Sequence, residues 1–231
     1  MMHKRLVPSL RLTIKLVVAA VALAVAGQAG SGEVSAATTT VNVGDFWFCN
    51  SSFSGSVCPT RIATGDTVTW NWVGGAAHST TACSDGTFST CGAAQGWDSP
   101  IMTSGTFSRT FNNTGTFYYR CQVHPTAMRG RVEVIQDTDG DGWSDAAEAI
   151  IGTDPARKCG ANAWPPDINN DGLVDVIGDI SRVAGEFGKA VGPPPGAPAR
   201  YDIAPDPPNG LIDVIGDISR LAGLFGQSCS P

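Results

Sequence analysis

The sequence predicts a mainly β protein: a β-sandwich followed by a small helical module. Three observations predict it. From Thr38 to Ile135, short runs of β-forming residues lie between turns rich in Gly, Ser, Asn and Thr. At Gln136 the texture changes to acidic, glycine-rich loops. Beyond them a duplication appears: residues 172–188 recur as 210–226, differing only at Val174/Ile212, Val183/Leu221 and Glu186/Leu224.

Residues 1–36 read as a secretory signal. Lys4, Arg5, Arg11 and Lys15 occur with no acid among the first fifteen residues, and 16–26 form an unbroken apolar run. That run is too short for the roughly 20 residues a membrane-crossing helix needs, and small-residue cleavage sites follow at Ala24-Val25-Ala26 and Val34-Ser35-Ala36. The mature chain is expected to be secreted, periplasmic or at the cell surface, with no membrane span once the signal is removed. Cleavage removes His3, leaving His78 and His124.

Composition agrees with an exported globular protein. Of 231 residues, 42% are hydrophobic and 16% charged, enough apolar material for one or two ordinary domains. A net charge of −6 lacks the basic footprint of a nucleic-acid binder, so no such partner is expected. Seven cysteines in so short a chain point to an oxidising compartment.

Within the sandwich, Thr67–Trp72 and Arg131–Val134 alternate polar with apolar as half-buried strands do. Residues 106–111 and 115–120 read as a further strand pair joined by the Asn112–Gly115 turn. Nearly a hundred residues in this style favour a sandwich. In the duplicated tail, Ile177, Ile180 and Phe187, and their counterparts Ile215, Ile218 and Phe225, fall at near-helical intervals. Each set predicts a short helix with one apolar stripe. Neither helix can bury that stripe alone, so the copies are expected to pack on each other about a pseudo-two-fold axis, joined by the stiff proline-rich 192–198 segment.

The densest chemical signal is Cys121-Gln122-Val123-His124-Pro125-Thr126-Ala127-Met128. A thiolate, an imidazole and a thioether within eight residues suit a copper ion that changes oxidation state, and a His2Cys plane with a weak axial Met is the blue-copper arrangement. His78, just after the Thr67–Val73 run, is the one histidine left to complete the set. Each residue alone has a plainer reading: a loop histidine, a packed methionine, a half-cystine. Their coincidence favours one copper site.

Residues 38–135 resemble a plastocyanin/azurin-type cupredoxin. The likeness rests on Thr64-Gly65-Asp66-Thr67-Val68-Thr69-Trp70 and on 107–134, with Gly115-Thr116-Phe117-Tyr118-Tyr119 approaching Cys121. It implies a Greek-key cupredoxin sandwich carrying one type 1 copper on His78, Cys121, His124 and Met128. It also implies an electron port at the His124 ring edge, ringed by small uncharged residues such as Ala76, Ala77, Pro125 and Ala127. With Cys121 on copper, six cysteines remain, which allow fifteen connectivities. Proximity and symmetry favour Cys49–Cys58, Cys83–Cys91 and Cys159–Cys229, the last closing a loop worth roughly 4 kcal/mol in the chain-entropy model.

Two histidines cannot supply the additional His-rich cluster of a multicopper oxidase or a copper nitrite reductase, nor a Ser/His/Asp triad. Electron transfer without substrate chemistry is therefore expected rather than catalysis.

The stretch 137–148 fits a twelve-position EF-hand loop, with Asp137, Asp139, Asp141 and Asp145 at positions 1, 3, 5 and 9. Gly142 sits at 6, the Trp143 carbonyl at 7 and Glu148 at 12. With Gly152-Thr153-Asp154-Pro155 it resembles the bacterial thrombospondin type 3-like calcium repeat. A second loop offers Asp167, Asn169, Asp171, the Leu173 carbonyl and Asp175, and with the duplication it resembles a dockerin module. It departs at position 12, which is Gly178, with Asp179 one residue late. A third, longer loop runs from Asp202 and Asp206 to Asn209-Gly210. One to three Ca2+ ions are expected, and the dockerin likeness implies a cohesin-like or surface partner for the tail.

The expected organisation is thus a signal over 1–36, the copper domain over 37–135, a calcium loop and linker over 136–158, and a duplicated dockerin-like module over 159–231. The chain reads as a monomeric electron carrier with an unidentified redox partner and a calcium-stabilised docking tail. Two alternatives are a copper storage or delivery protein and a calcium-dependent adhesion or scaffold protein.

Overall fold

The computed structural model describes residues 36–230. The expected signal lies, apart from Ala36, outside the described residues. Among the described residues, eight strands form two four-stranded sheets. They are β1 (Thr38–Gly44), β2 (Trp47–Phe48), β3 (Val57–Ala63), β4 (Thr67–Trp72), β5 (Thr81–Cys83), β6 (Gly105–Thr110), β7 (Gly115–Arg120) and β8 (Arg129–Ile135). One sheet has the order β2-β1-β4-β6 and the other β3-β8-β7-β5. Two neighbours run parallel: β1 beside β4, with Thr38 opposite Thr67, and β3 beside β8, with Val57 opposite Arg129.

Period-two burial along β4 and β8 sends alternate side chains inward. Val68, Trp70 and Trp72 of one sheet thereby meet Tyr119, Val132 and Val134 of the other in one core. Trp70 and Tyr119 meet edge to face at 5.2 Å, a geometry that contributes about 0.5–1.5 kcal/mol beyond the area buried. Gly130 interrupts the β-formers of β8 because Tyr119 lies directly opposite it, and a Cβ there would run into the tyrosine ring.

The strands expected to pair across the Asn112–Gly115 turn do not pair. β6 bonds to β4, whereas β7 bonds to β5 and β8 in the opposite sheet. Phe111 decides this outcome: it is buried, and its backbone exchanges hydrogen bonds with Gly65 and Asp66 in the β3–β4 turn. The chain is therefore pinned at the end of the sandwich and crosses from one sheet to the other.

Disulfides join Cys49 to Cys58, Cys83 to Cys91, and Cys159 to Cys229. The first links the end of β2 to β3, hence one sheet to the other.

In the tail, α1 (Asp145–Ile151) starts at Ser144, whose hydroxyl accepts the Ala147 N–H, and stops at Gly152 in the left-handed conformation. Each repeat then forms a five-residue π-helical turn, Val176–Ile180 or Val214–Ile218, leading into a short helix, α2 (Ser181–Ala184) or α3 (Ser219–Gly223). The two copies bond reciprocally. Val174 and Gly172 pair with the strand-like end of the second copy at Gln227–Cys229, and Ile212 and Gly210 pair with Gly188–Val191 of the first.

The expected apolar stripe is wrong in detail. Ile177 and Ile215 are 83% and 91% exposed, and Phe187 and Phe225 also face solvent. The buried contacts come instead from Val174, Val183, Ile212 and Leu221, with Ile180 and Ile218 packed against them. The π-helical turn holds one residue more than an α-turn spends, which rotates Ile177 and Ile215 outward. The phenylalanines fall after each helix has ended.

The tail packs on the sandwich. The Asp206 carboxylate accepts hydrogen bonds from Arg61 of β3 and from both the backbone N–H and the hydroxyl of Ser144. Arg220 lies over the Trp143 ring at 4.3 Å, and the Trp143 indole donates to the Ile203 carbonyl. The first acidic loop is thus held between β3 and the second repeat. No helix among the described residues is long and apolar enough to cross a membrane.

Candidate metal centre

His78, Cys121 and His124 converge at one end of the sandwich. The His78 and His124 Nδ1 atoms are 3.0 Å apart, and Cys121 Sγ lies 3.9 Å from the first and 3.8 Å from the second. Three different local arrangements produce this triangle. His78 sits beyond β4 on a segment whose backbone pairs with Met102 in both directions. Cys121 directly follows β7. His124 stands on the loop to β8, which closes on itself as Cys121 donates to the Met128 carbonyl and Met128 to that of His124.

The donor set fits a metal ion. Both imidazoles present the same nitrogen, and those nitrogens face a buried thiol, the sole free cysteine among the described residues. The triangle is small enough for one ion to touch all three at the usual metal-to-nitrogen and metal-to-sulfur distances of about 2.0–2.3 Å. Two imidazoles and one thiolate suit copper better than a hard cation. Met128 is fully buried in the core that lies beneath the loop.

Burial differs across the site: His78 and Cys121 are enclosed, while His124 is partly exposed. Burial holds the His78 imidazole below its usual pKa, opposed by its contact with Asp45. The sulfur is also bonded: Ser79 N–H points at Cys121 Sγ from 3.4 Å, and the Ser79 hydroxyl accepts the Gln122 N–H.

Several residues of this end carry no signal in the sequence. Ser79, Asp45 and Phe46 occupy loop positions where small or polar residues and occasional aromatics are ordinary. The Phe46 ring nevertheless packs edge-on against His124 at 4.7 Å. Phe46, Val73, Ile101 and Val123 are exposed apolar residues in the loops of this end, larger than the alanines and proline expected there.

The first acidic loop brings Asp137, Asp139 and Asp141 within 4.8 Å of one another. Asp139 Oδ2, Asp141 Oδ2 and Glu148 Oε2 are buried and lack any hydrogen-bond partner, and Glu148 is fully enclosed. Buried, unpaired carboxylate oxygens are costly, so the loop has the chemistry of a cation cage. Burial first, then the neighbouring carboxylates, pushes Asp139 to about 6, Asp141 to about 7 and Glu148 to about 8. Asp145 does not join them, because Thr138 occupies both its oxygens. Trp143 N–H bonds to Asp141 Oδ1, which fixes the turn at position 7.

The second loop is different. Among the described residues, Asp167, Asp171, Asp175 and Asp179 do not form such a grouping. Asp167 receives the Asp171 and Gly172 N–H groups, Asn169 donates to Asp171, and Asp175 caps Gly178. The Leu173 N–H closes on Asp171. The π-helical turn does return the late Asp179 to the loop, where it accepts from Ile168, Asn169 and Asp175. Asp217 does the same in the third loop, accepting from Ala204 and Asp213.

Comparison with known proteins matches residues 34–135 to "Copper binding proteins, plastocyanin/azurin family" and residues 137–158 to "Bacterial TSP3 repeat". The first match supports a cupredoxin domain. No curated protein matches the chain. Similar solved structures include an oxidized amicyanin mutant, 25% identical over 41% of this chain and 79% of that one, with a TM-score of 0.32. A reduced mutant is 24% identical over 45% and 88% (TM-score 0.33), and a Cu(I) mutant is 26% identical over 45% and 88% (TM-score 0.32). TM-scores of this size add nothing to what the two sheets and the family match already carry.

Proposed function

We propose that this protein carries single electrons through one type 1 copper, which His78, Cys121, His124 and Met128 would hold. The observation that supports it most is the triangle of two Nδ1 atoms and one free, buried sulfur. Copper supplies one-electron cycling when bound. The chain's own contribution is to fix its donors in advance: the closed 121–128 loop, the Ser79 N–H on the sulfur and the rigid sheets leave little to reorganise between oxidation states. The partly exposed His124 edge, beside Phe46 and Val123, is the route by which an electron would enter or leave. An exposed apolar surface at that point suits docking to a redox partner better than storage.

The first acidic loop is proposed to hold calcium through Asp137, Asp139, Asp141 and Glu148, joined by the Trp143 carbonyl, with Asp145 bracing Thr138. The exposed pairs Val176/Ile177 and Val214/Ile215 offer the tail two equivalent apolar faces for a cohesin-like or other surface partner, and the amino-terminal signal would place the protein outside the cytoplasm.

Adding Cu(II) to the purified apo-protein should give the intense blue absorption of thiolate-to-copper charge transfer. Cys121→Ser should abolish it while the sandwich stays folded, as its far-UV circular dichroism compared with that of the copper-free wild type checks. A colourless wild type, or colour retained without Cys121, rules the assignment out.

A further inference from the structure

The β1–β2 turn places a carboxylate behind the buried imidazole. Asp45 Oδ1 lies 3.4 Å from His78 Nε2, the ring nitrogen that faces away from the Nδ1–Nδ1–Sγ triangle. The Asp45 side chain is half exposed, at 48%, yet it is tethered. The same Oδ1 accepts the Ala76 N–H at 2.9 Å, so the carboxylate is anchored to the segment that leads into His78. Gly74 makes room for it: a Cβ at that position would collide with Asp45 Oδ1 and come within 2.8 Å of the Asp45 backbone nitrogen.

A neutral imidazole carries its proton on one nitrogen only. For His78 Nδ1 to face a metal, the proton must reside on Nε2, and that N–H is buried with the rest of the fully enclosed ring. Asp45 supplies its acceptor. Among the described hydrogen bonds of His78 Nε2, no other partner occurs. A carboxylate in this place does two separable things. As an acceptor it fixes the tautomer and the ring plane, and as a negative charge it favours the more positive oxidation state of whatever Nδ1 holds.

We propose that Asp45 is a positioning residue of the copper site, selecting the Nε2–H tautomer of His78 and, through its charge, lowering the reduction potential. The second half rests on the copper reading above; the first can be read without metal.

The experiment compares wild type with Asp45→Asn, Asp45→Ala and Asp45→Glu. Asn keeps an acceptor oxygen and loses the charge, Ala loses both, and Glu restores the charge. In the apo-protein, 15N–1H spectra of the His78 ring should show a single Nε2–H tautomer in wild type and in Asp45→Asn, and a mixture in Asp45→Ala. With copper bound at fixed pH, Asp45→Asn should raise the Cu(I)/Cu(II) ratio at a given electrode potential by roughly three- to tenfold, tenfold being about 59 mV for one electron. Asp45→Glu should bring the ratio back toward wild type.

A single unchanged tautomer in Asp45→Ala overturns the positioning role. An unchanged or more negative potential in Asp45→Asn, with the blue spectrum intact, overturns the charge role. Failure of wild type to bind copper in a blue form overturns the copper reading and leaves the tautomer result to decide the positioning role alone.

Discussion

The two ends of the molecule offer donors to a candidate ion by opposite strategies. At the sandwich end the donors are two imidazoles and a thiol, drawn from separate segments, with the thiol of Cys121 itself part of the sandwich core. In the first acidic loop the donors are carboxylates from one short stretch, crowded, partly buried and left with three unpaired oxygens. The first site is imposed by a fold. The site in the first acidic loop, with its unpaired carboxylates, would oppose its own folding without a cation, so binding there would also be folding free energy.

The sharpest way to break this contrast concerns the tail core. Leu221→Ala should cost about 2–5 kcal/mol, as deletion of a buried leucine side chain does, while Ile215→Ala should stay within about 0.5 kcal/mol because Ile215 is exposed. Equal costs by chemical denaturation would restore the simple helical stripe and refute the outward rotation by the π-helical turn.

Calcium removal comes next. At a hundred times the dissociation constant, a bound ion contributes about 2.7 kcal/mol. Chelation should therefore lower the tail's unfolding transition and expose sites beyond Gln136 to protease, leaving copper colour and sandwich melting unchanged. An unaltered digestion pattern would mean that the loop does not depend on a cation.

The smallest effect sharpens the same point through pH. The folded, ion-free loop holds protons on Glu148, Asp141 and Asp139 at about 8, 7 and 6, above their ordinary values of 4.5, 3.8 and 3.8. The folded state then binds more protons than the unfolded chain between roughly pH 4 and 8. The associated stability is complete below about pH 4 and is lost as pH rises through 6 to 8, the reverse of an ordinary salt-bridged carboxylate. Calcium competes with those protons, so its affinity should rise over the same interval, with roughly one to two protons released per ion near pH 7. Calorimetry in buffers of different ionisation enthalpy measures that number; zero release would contradict it.

Much of the candidate copper site was legible because its chemistry is sparse. Two histidines remained after the expected signal, and Cys121 had no partner nearby in sequence, so few assignments were open. The alternation in Thr67–Trp72 likewise showed which side chains turn inward. Asp45 and Phe46 were not legible, because a polar or aromatic turn residue says nothing about what another loop will set beside it. The β6–β7 segment looked like a hairpin because its strands adjoin in sequence; burial of Phe111 sends them to different sheets. Helical spacing failed for Ile177 and Ile215 because a period of 3.6 assumes an α-turn where the chain makes a π-turn.

The sequence by itself determined which residue types were available as metal donors and which strands carry an inward face, since residue chemistry and backbone alternation are local properties. Tertiary structure alone decided that β6 and β7 part company, that Asp179 returns to its loop, and that Asp206 fastens the tail to Arg61. The same holds for Asp45 meeting His78. Those outcomes depend on segments far apart in the chain competing for the same buried space, and no local pattern encodes the winner.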